Sequence, residues 1–235
     1  MESDRSATAE SNRVRIIAAA ARLLAEGGRE SVSTRAVSAA AGVQAPTIYR
    51  LFGDKQGLLD AVAAHGFATH LSGKADLVPT GDPVDDLRAG WDLNMEFGLA
   101  HPALYALMYA DPRPGAEPPA ALAARDVLGA SIHRIAEAGR LRIDETRAAQ
   151  LVHAAGSGTT LALISTPQDR RDPSVSRLAR EAVIAAISTD APTPATPGPA
   201  GAAVALRALL PQTTALTPGE LGLLTELLDR IATTA

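Results

Sequence analysis

The sequence contains no cysteine, which excludes a disulfide framework, a thiolate-held zinc and a cysteine nucleophile. Aromatic residues make up only 3% of it. Runs of β-branched and aromatic residues at period two, the mark of strands, are missing, which excludes an ordinary sheet protein. Lysine is scarce: Lys55 and Lys74 are the only two, so positive charge rests on arginine. No stretch reaches the roughly 18 to 20 uninterrupted apolar residues that span a bilayer. The start, MESDRSATAESNR, is polar and has no apolar run, so no signal peptide is expected and a cytoplasmic location is the default. What the chain does have is alanine: 46% of its 235 residues are hydrophobic although aromatics are few. Such a composition predicts an all-α protein, with chain enough for one large domain or two small ones.

Net charge is −4, but it is unevenly spread. Residues 12–55 carry Arg13, Arg15, Arg22, Arg29, Arg35, Arg50 and Lys55 against Glu26, Glu30 and Asp54, an excess of +4. Residues 1–11 are acidic, and so is everything after 55. A basic head on an acidic body argues for a nucleic-acid contact confined to the head.

Along the chain, residues 1–12 read as a disordered N-terminus. From Arg13 a helical pattern sets in, with Val14, Ile17, Ala18, Ala21, Leu24 and Ala25 as its apolar face. Gly27-Gly28 ends it. Ser31 and Ser33 offer N-caps for a short helix over 34–41, which Gly42 stops. A third helix spans 45–51 with Pro46 in its first turn, and Asp54 caps a fourth running toward His70. Further helices are expected from Asp82-Pro83 toward Ala100, over 103–109, 120–138, from Asp144 toward Ile164, and over 174–187. Four prolines in TDAPTPATPGPAG mark 189–201 as a linker. Helices over 202–210 and 218–232 follow, the second opened by a capping box of Thr217 and Glu220. The expected organisation is therefore a helix-turn-helix domain at 13–55, a helical body at 56–188, the linker at 189–201 and a C-terminal helical extension at 202–235.

The informative stretch is STRAVSAAAGVQAPTIYRLFGDK, residues 33–55. Two short helices meet at a glycine-containing turn, and the second opens on small and polar residues. In a helix-turn-helix the second helix enters the major groove with its first residues at the base edges. Ala45 and Pro46 are small enough for that approach. Thr34, Thr47, Tyr49 and Lys55 can meet phosphate, and Arg35 or Arg50 can read guanine. Thr34, Ala41-Gly42-Val43, Pro46-Thr47, Ile48-Tyr49, Leu51-Phe52 and Lys55 with Leu58-Leu59 together resemble the DNA-binding head of TetR-type transcriptional regulators. The resemblance covers about residues 13–70. It implies phosphate contacts from Thr34, Thr47, Tyr49 and Lys55, a base or phosphate contact from Arg35, and base-edge contacts from Ala45 and Pro46. Gln44 departs from the short residue common there; it either reaches an adenine edge or points to solvent. Ala41, Gly42, Val43, Ile48, Leu51 and Phe52 read as the packed turn and core. Arg13, Arg15 and Arg22 read either as part of the basic surface or as an ordinary solvated face.

In the body, Trp91, Met95, Phe97, Tyr105, Met108 and Tyr109 crowd into nineteen residues. Such a cluster is either plain core or the wall of an apolar pocket; the resemblance implies a pocket among the middle helices. Trp91, Met95, Tyr105, Met108 and Tyr109 are the candidate ligand contacts, with Asn94 and His101 as hydrogen-bond donors and His153 as a weaker candidate. The five histidines show no metal-ligand spacing, and Gly156-Ser157-Gly158-Thr159-Thr160 lacks the lysine and the preceding strand of a phosphate loop. No cofactor or metal is expected. The resemblance implies a homodimer, with 144–164 and 174–187 forming a symmetric four-helix contact. The C-terminal stripe of Leu221, Leu224, Leu228 and Ile231 is the rival surface.

The leading reading is thus a ligand-responsive DNA-binding repressor, not an enzyme. A small apolar effector would release it from a palindromic operator on double-stranded DNA. The alternatives are a helical protein-interaction adaptor, which would have no use for Arg35, Tyr49 and Lys55 at these spacings, and an all-helical enzyme, for which no convergent acid, base or nucleophile is found.

Overall fold

The computed structural model describes residues 2–72, 80–110, 117–189 and 198–233. All regular elements among them are helices, apart from a single antiparallel bridge between Leu141 and Ser188. The chain divides into two compact units, 1–77 with 97–123 and 78–96 with 124–235.

The first unit holds α1 (Glu2–Ser31), α2 (Thr34–Ala41), α3 (Ala45–Phe52), α4 (Lys55–Ser72) and α6 (Pro102–Tyr109), together with the end of α5 (Pro83–Ala100). α1 starts at Glu2, so residues 2–12, expected to be disordered, extend the helix. That stretch has neither proline nor glycine, so nothing in it breaks a helix already nucleated by the residues that follow. α1 breaks where expected: Gly27 and Gly28 leave helical geometry, Gly28 with φ +65°. Its buried face is Ile16, Ile17, Ala20 and Leu24, whereas Val14, Ala18 and Ala25 face solvent. The two adjacent isoleucines rotate the inward stripe away from the one expected. Val32, Val37, Ala41, Ile48, Leu58, Leu59 and Val62 complete the small core of the head.

The second unit contains most of α5, most of α7 (Pro119–Glu137), α8 (Glu145–Ser165), α9 (Pro173–Ile187), α10 (Pro199–Leu209) and α11 (Pro218–Ala232). Its core runs through Val84, Leu87, Trp91, Ile132, Ile135, Val152, Ile184 and Ile187, and includes Val204, Ala208 and Leu228 from the last two helices. The Asp144 side chain accepts from the Arg147 amide at the start of α8, and Thr217 with Glu220 forms the capping box of α11. A clamp fixes the end of α9: Arg142 donates from its amide to the Ile187 carbonyl and from Nε to the Ser188 carbonyl, and the Thr189 amide bonds the Arg140 carbonyl. The buried Arg140 donates from Nε to the Thr189 carbonyl and pairs through Nη1 with Asp82. Of the expected proline-rich linker, residues 190–197 lie outside the described residues, and Pro199 and Gly201 lie inside α10. Proline in the first turn of a helix lacks only an amide with no partner to lose. Residues 111–116, between the helices expected over 103–109 and 120–138, also lie outside the described residues.

Candidate nucleic-acid interface

Three devices in the head set the position of α3. Ser33 caps α2 by accepting from the Ala36 amide, 3.1 Å. Gly42 ends it in the left-handed region, φ +62° and ψ +40°, a conformation that favours glycine. The Arg15 guanidinium reaches across from α1 and donates to the Ala41 and Gly42 carbonyls, groups that a helix end leaves without partners. Arg13 lies over the Phe52 ring, 5.0 Å from its centroid, and points Nη1 at the Leu51 carbonyl near the end of α3. Arg13 and Arg15, read either as basic surface or as a solvated face, therefore have structural partners at the ends of α3 and α2, while Arg22 is exposed.

α3 opens at Gln44, whose backbone is extended (φ −82°, ψ +145°) and whose side chain makes no capping bond. With Pro46 in the first turn, one of the amides that would otherwise lack a partner is removed, and the helix start presents a small, exposed surface. Gln44, Pro46, Tyr49 and Arg50 are exposed, Ala45 and Thr47 half-buried, and Ile48 is buried beneath them. Tyr49 is 53% exposed, an unusual position for an aromatic ring in a chain with so few. On α2, Arg35 is exposed and Thr34 half-buried beside the buried Val37. Lys55 is exposed at the first position of α4, where the Asp54 carboxylate caps the Gly57 amide at 2.7 Å. Gly57 is required there: a Cβ would lie 2.0 Å from the Phe52 carbonyl oxygen. All nine residues singled out in the sequence for DNA contact thus lie on α2, the turn, α3 or the start of α4, and none is fully buried. A link that no local sequence signal announces ties the end of α1 to α4: Arg29 donates to Gln56 at 2.8 Å and Gln56 to Asp60 at 2.8 Å.

The body candidates fall into two groups. In the first unit, Tyr105 and Met108 are buried, the Tyr105 and Tyr109 rings are 4.7 Å apart, and Phe97 lies between His70 at 4.8 Å and His101 at 5.5 Å. Burial, and then the neighbouring Tyr105, pushes the Tyr109 phenol well above its ordinary pKa. In the second unit, Trp91 is 6% exposed; its indole N–H donates to the Ser176 hydroxyl at 3.0 Å, and its ring sits against Gly156, where a Cβ would come within 3.5 Å. Met95 is buried and Asn94 half-buried. Gly156 therefore packs against the tryptophan, at a distance where a Cβ would make ordinary contact. Arg88 is committed to Glu181 and Asp85, and the Arg88 bond in turn holds the Glu181 carboxyl below its ordinary range. His153 is half-buried on α8. Among the described residues no group of three or more His, Asp or Glu side chains could hold a metal ion, and no helix is long and apolar enough to cross a membrane.

The C-terminal stripe also differs from expectation. Leu228 is core and Leu221 and Leu224 pack against that core, while Leu223, Leu227 and Ile231 face outward. In the expected bundle face, Val183 and Ile187 are buried, whereas Val175, Leu178 and Ala182 are exposed, Leu178 at 67%.

Residues 16–62 match the family described as bacterial regulatory proteins, tetR family. No curated protein matches the sequence. Among solved structures, a TetR-family transcriptional regulator from Agrobacterium tumefaciens is similar with a TM-score of 0.53 at 22% identity, over 77% of this chain and 100% of that one. RolR in complex with resorcinol is similar over almost the whole length, 98% of this chain and 97% of that one, with a TM-score of 0.60 at 17% identity. The multidrug-binding protein EbrR in complex with imidazole gives a TM-score of 0.52 at 26% identity over 76% of this chain and 96% of that one. Residues 16–62 thus match the tetR family of bacterial regulatory proteins, and the chain is similar in fold to solved regulators of that family.

Proposed function

We propose that this chain is a repressor that binds a palindromic operator as a homodimer in the cytoplasm, without enzymatic activity, and is released by a small, mostly apolar effector. The observation that carries the reading is the surface at the start of α3. Gln44, Pro46, Tyr49 and Arg50 face outward there while Ile48 anchors the helix from beneath, with Arg35 exposed on α2. In this role Arg35 or Arg50 supplies a guanine-reading fork, and Gln44 is in place to reach an adenine edge. Ala45 and Pro46 let the backbone approach base edges. Thr34, Thr47, Tyr49 and Lys55 fix the register on phosphates.

For the dimer, the exposed Leu178 and Val175 on α9 and Leu151 on α8 supply an apolar face, and Gly158 on α8 leaves open space where a Cβ would stand. Two heads related by a two-fold axis read half-sites about one helical turn apart. The candidate effector contacts form two separate groups: Trp91, Asn94 and Met95 in the second unit, and His101, Tyr105, Met108 and Tyr109 in the first. Aromatic and methionine side chains give contact area that adapts to ligand shape. The ligand complexes of RolR and EbrR support an effector in principle. Such an effector acts only by binding one conformer better than the other. Footprinting on the DNA upstream of the coding sequence tests the reading. The expected result is one protected segment with two half-sites in inverted order; protection without inverted symmetry removes the dimer, and no protection removes the reading.

A further inference from the structure

The last two helices are apolar on both sides. Inward, Ala203, Val204 and Ala208 of α10 and Leu228 and Ala232 of α11 join the core of the second unit. Arg207 and Asp229, 3.0 Å apart, tie the two helices to each other. Outward, Leu206 and Leu209 on α10 and Leu223, Leu227 and Ile231 on α11 are exposed, Leu223 at 59%. A helix that met only water on that side would carry polar residues there, and grouped exposed aliphatics mark an interaction surface.

The outward face of α11 has a pattern that selects its partner. Leu223, Leu227 and Ile231 form a ridge at four-residue spacing. The neighbouring ridge is Gly222, Glu226 and Arg230, all exposed. A Cβ on Gly222 would meet nothing within 4 Å, so this ridge begins with a notch and then presents acid before base along the helix. Ridges of this spacing pack into the grooves of a like helix. An identical helix laid antiparallel reverses the order of charge, so Glu226 of each copy faces toward Arg230 of the other. A parallel arrangement would set like charges together.

We propose that the outer face of α10 and α11 is a self-association surface, occupied by the same face of a second copy about a two-fold axis with the α11 helices antiparallel. The proposal does not depend on DNA binding. It is also separate from the α8–α9 face. With both faces in use each chain makes two isologous contacts, so that dimers formed through one face are joined to one another through the other.

Sedimentation of the full chain tests this. Leu227→Glu is expected to lower the mass of the assembly by one step. Glu226→Arg and Arg230→Glu are each expected to weaken association about ten-fold, because two attractive pairs become repulsive. Mixing these two variants is decisive. The Glu226→Arg helix carries a base at both positions and the Arg230→Glu helix an acid at both. The two are complementary, so the mixture re-forms the assembly that neither forms alone. Effects within one helix cannot produce that recovery. Leu178→Glu, on the α8–α9 face, is expected to leave this step intact, which separates failure of that face from failure of this one. Wild type that sediments as a monomer, a Leu227→Glu mass equal to wild type, or a mixture that stays dissociated overturns the proposal.

Discussion

Replacing Gly42 by alanine probes the turn on which the head depends. Gly42 sits at φ +62° and ψ +40°, where a side chain costs about 1–2 kcal/mol per residue. Loss of freedom in the unfolded chain offsets about 0.4–1 kcal/mol of this. The new methyl would also stand 3.0 Å from Arg15 Nη2. That guanidinium is the far end of a flexible chain and can move aside, but only by loosening its bonds to the Ala41 and Gly42 carbonyls. Water replaces part of those bonds at this partly exposed edge, so the further loss is about 1 kcal/mol. The net expectation is a destabilisation of about 1–2.6 kcal/mol, read as a lower urea midpoint at unchanged slope. Gly42→Asn is expected to cost less, since asparagine tolerates the left-handed region. Amide exchange at Val37 and Ile48 would place the loss in the head. An alanine variant with the wild-type midpoint, or asparagine costing more than alanine, would refute the reasoning.

Ser176→Ala leaves the buried Trp91 indole N–H without its acceptor and is expected to cost about 1–3 kcal/mol, with a shift in the emission of the single tryptophan. Gly156→Ala, whose methyl would sit at ordinary contact distance from that ring, is expected to be close to neutral in thermal unfolding. Lys55→Ala is expected to lower the salt slope of DNA binding by about one, equally on all sequences. Acid is expected to weaken the second unit. The Arg140 bond holds the Asp82 carboxyl below its usual range, and the Arg88 bond does the same for Glu181. Carboxyls lowered by folding contribute stability above the ordinary carboxylate pKa, and that contribution is lost as pH falls through the lowered values. Unfolding midpoints measured from neutral pH downward are expected to drop below about pH 4, with a smaller drop in Asp82→Asn.

Local signals in the sequence were enough for most helix ends. Ser33, Asp54, Asp144 and Thr217 all cap as their spacing predicts, because a cap depends only on residues within one turn. Gly42 is legible for the same reason. The residues proposed to contact DNA were legible because they lie within one short stretch. Contacts between distant segments were not. Nothing near Arg13 or Arg15 reveals that their guanidinium groups serve the ends of α3 and α2, or that Gly156 packs against a ring 65 positions away. Helical periodicity identified an apolar stripe on α11 but not which of its two apolar sides turns inward; packing against α10 and the core of the second unit decides that. The stripe of α1 was misplaced for a related reason: alanine fits either face, and the adjacent Ile16 and Ile17 settle the rotation.

The most direct measurement is the affinity of the wild-type chain for a duplex from its own upstream region against a scrambled duplex of equal length, at one fixed salt concentration, repeated with Arg35→Ala and Gln44→Ala. The account predicts that wild type prefers the upstream duplex by at least about a thousand-fold. Arg35→Ala is predicted to lose about 1–3 kcal/mol on that duplex, while binding the scrambled one almost as wild type does. Equal affinity of the wild type for both duplexes, or full preference retained by both variants, would contradict it.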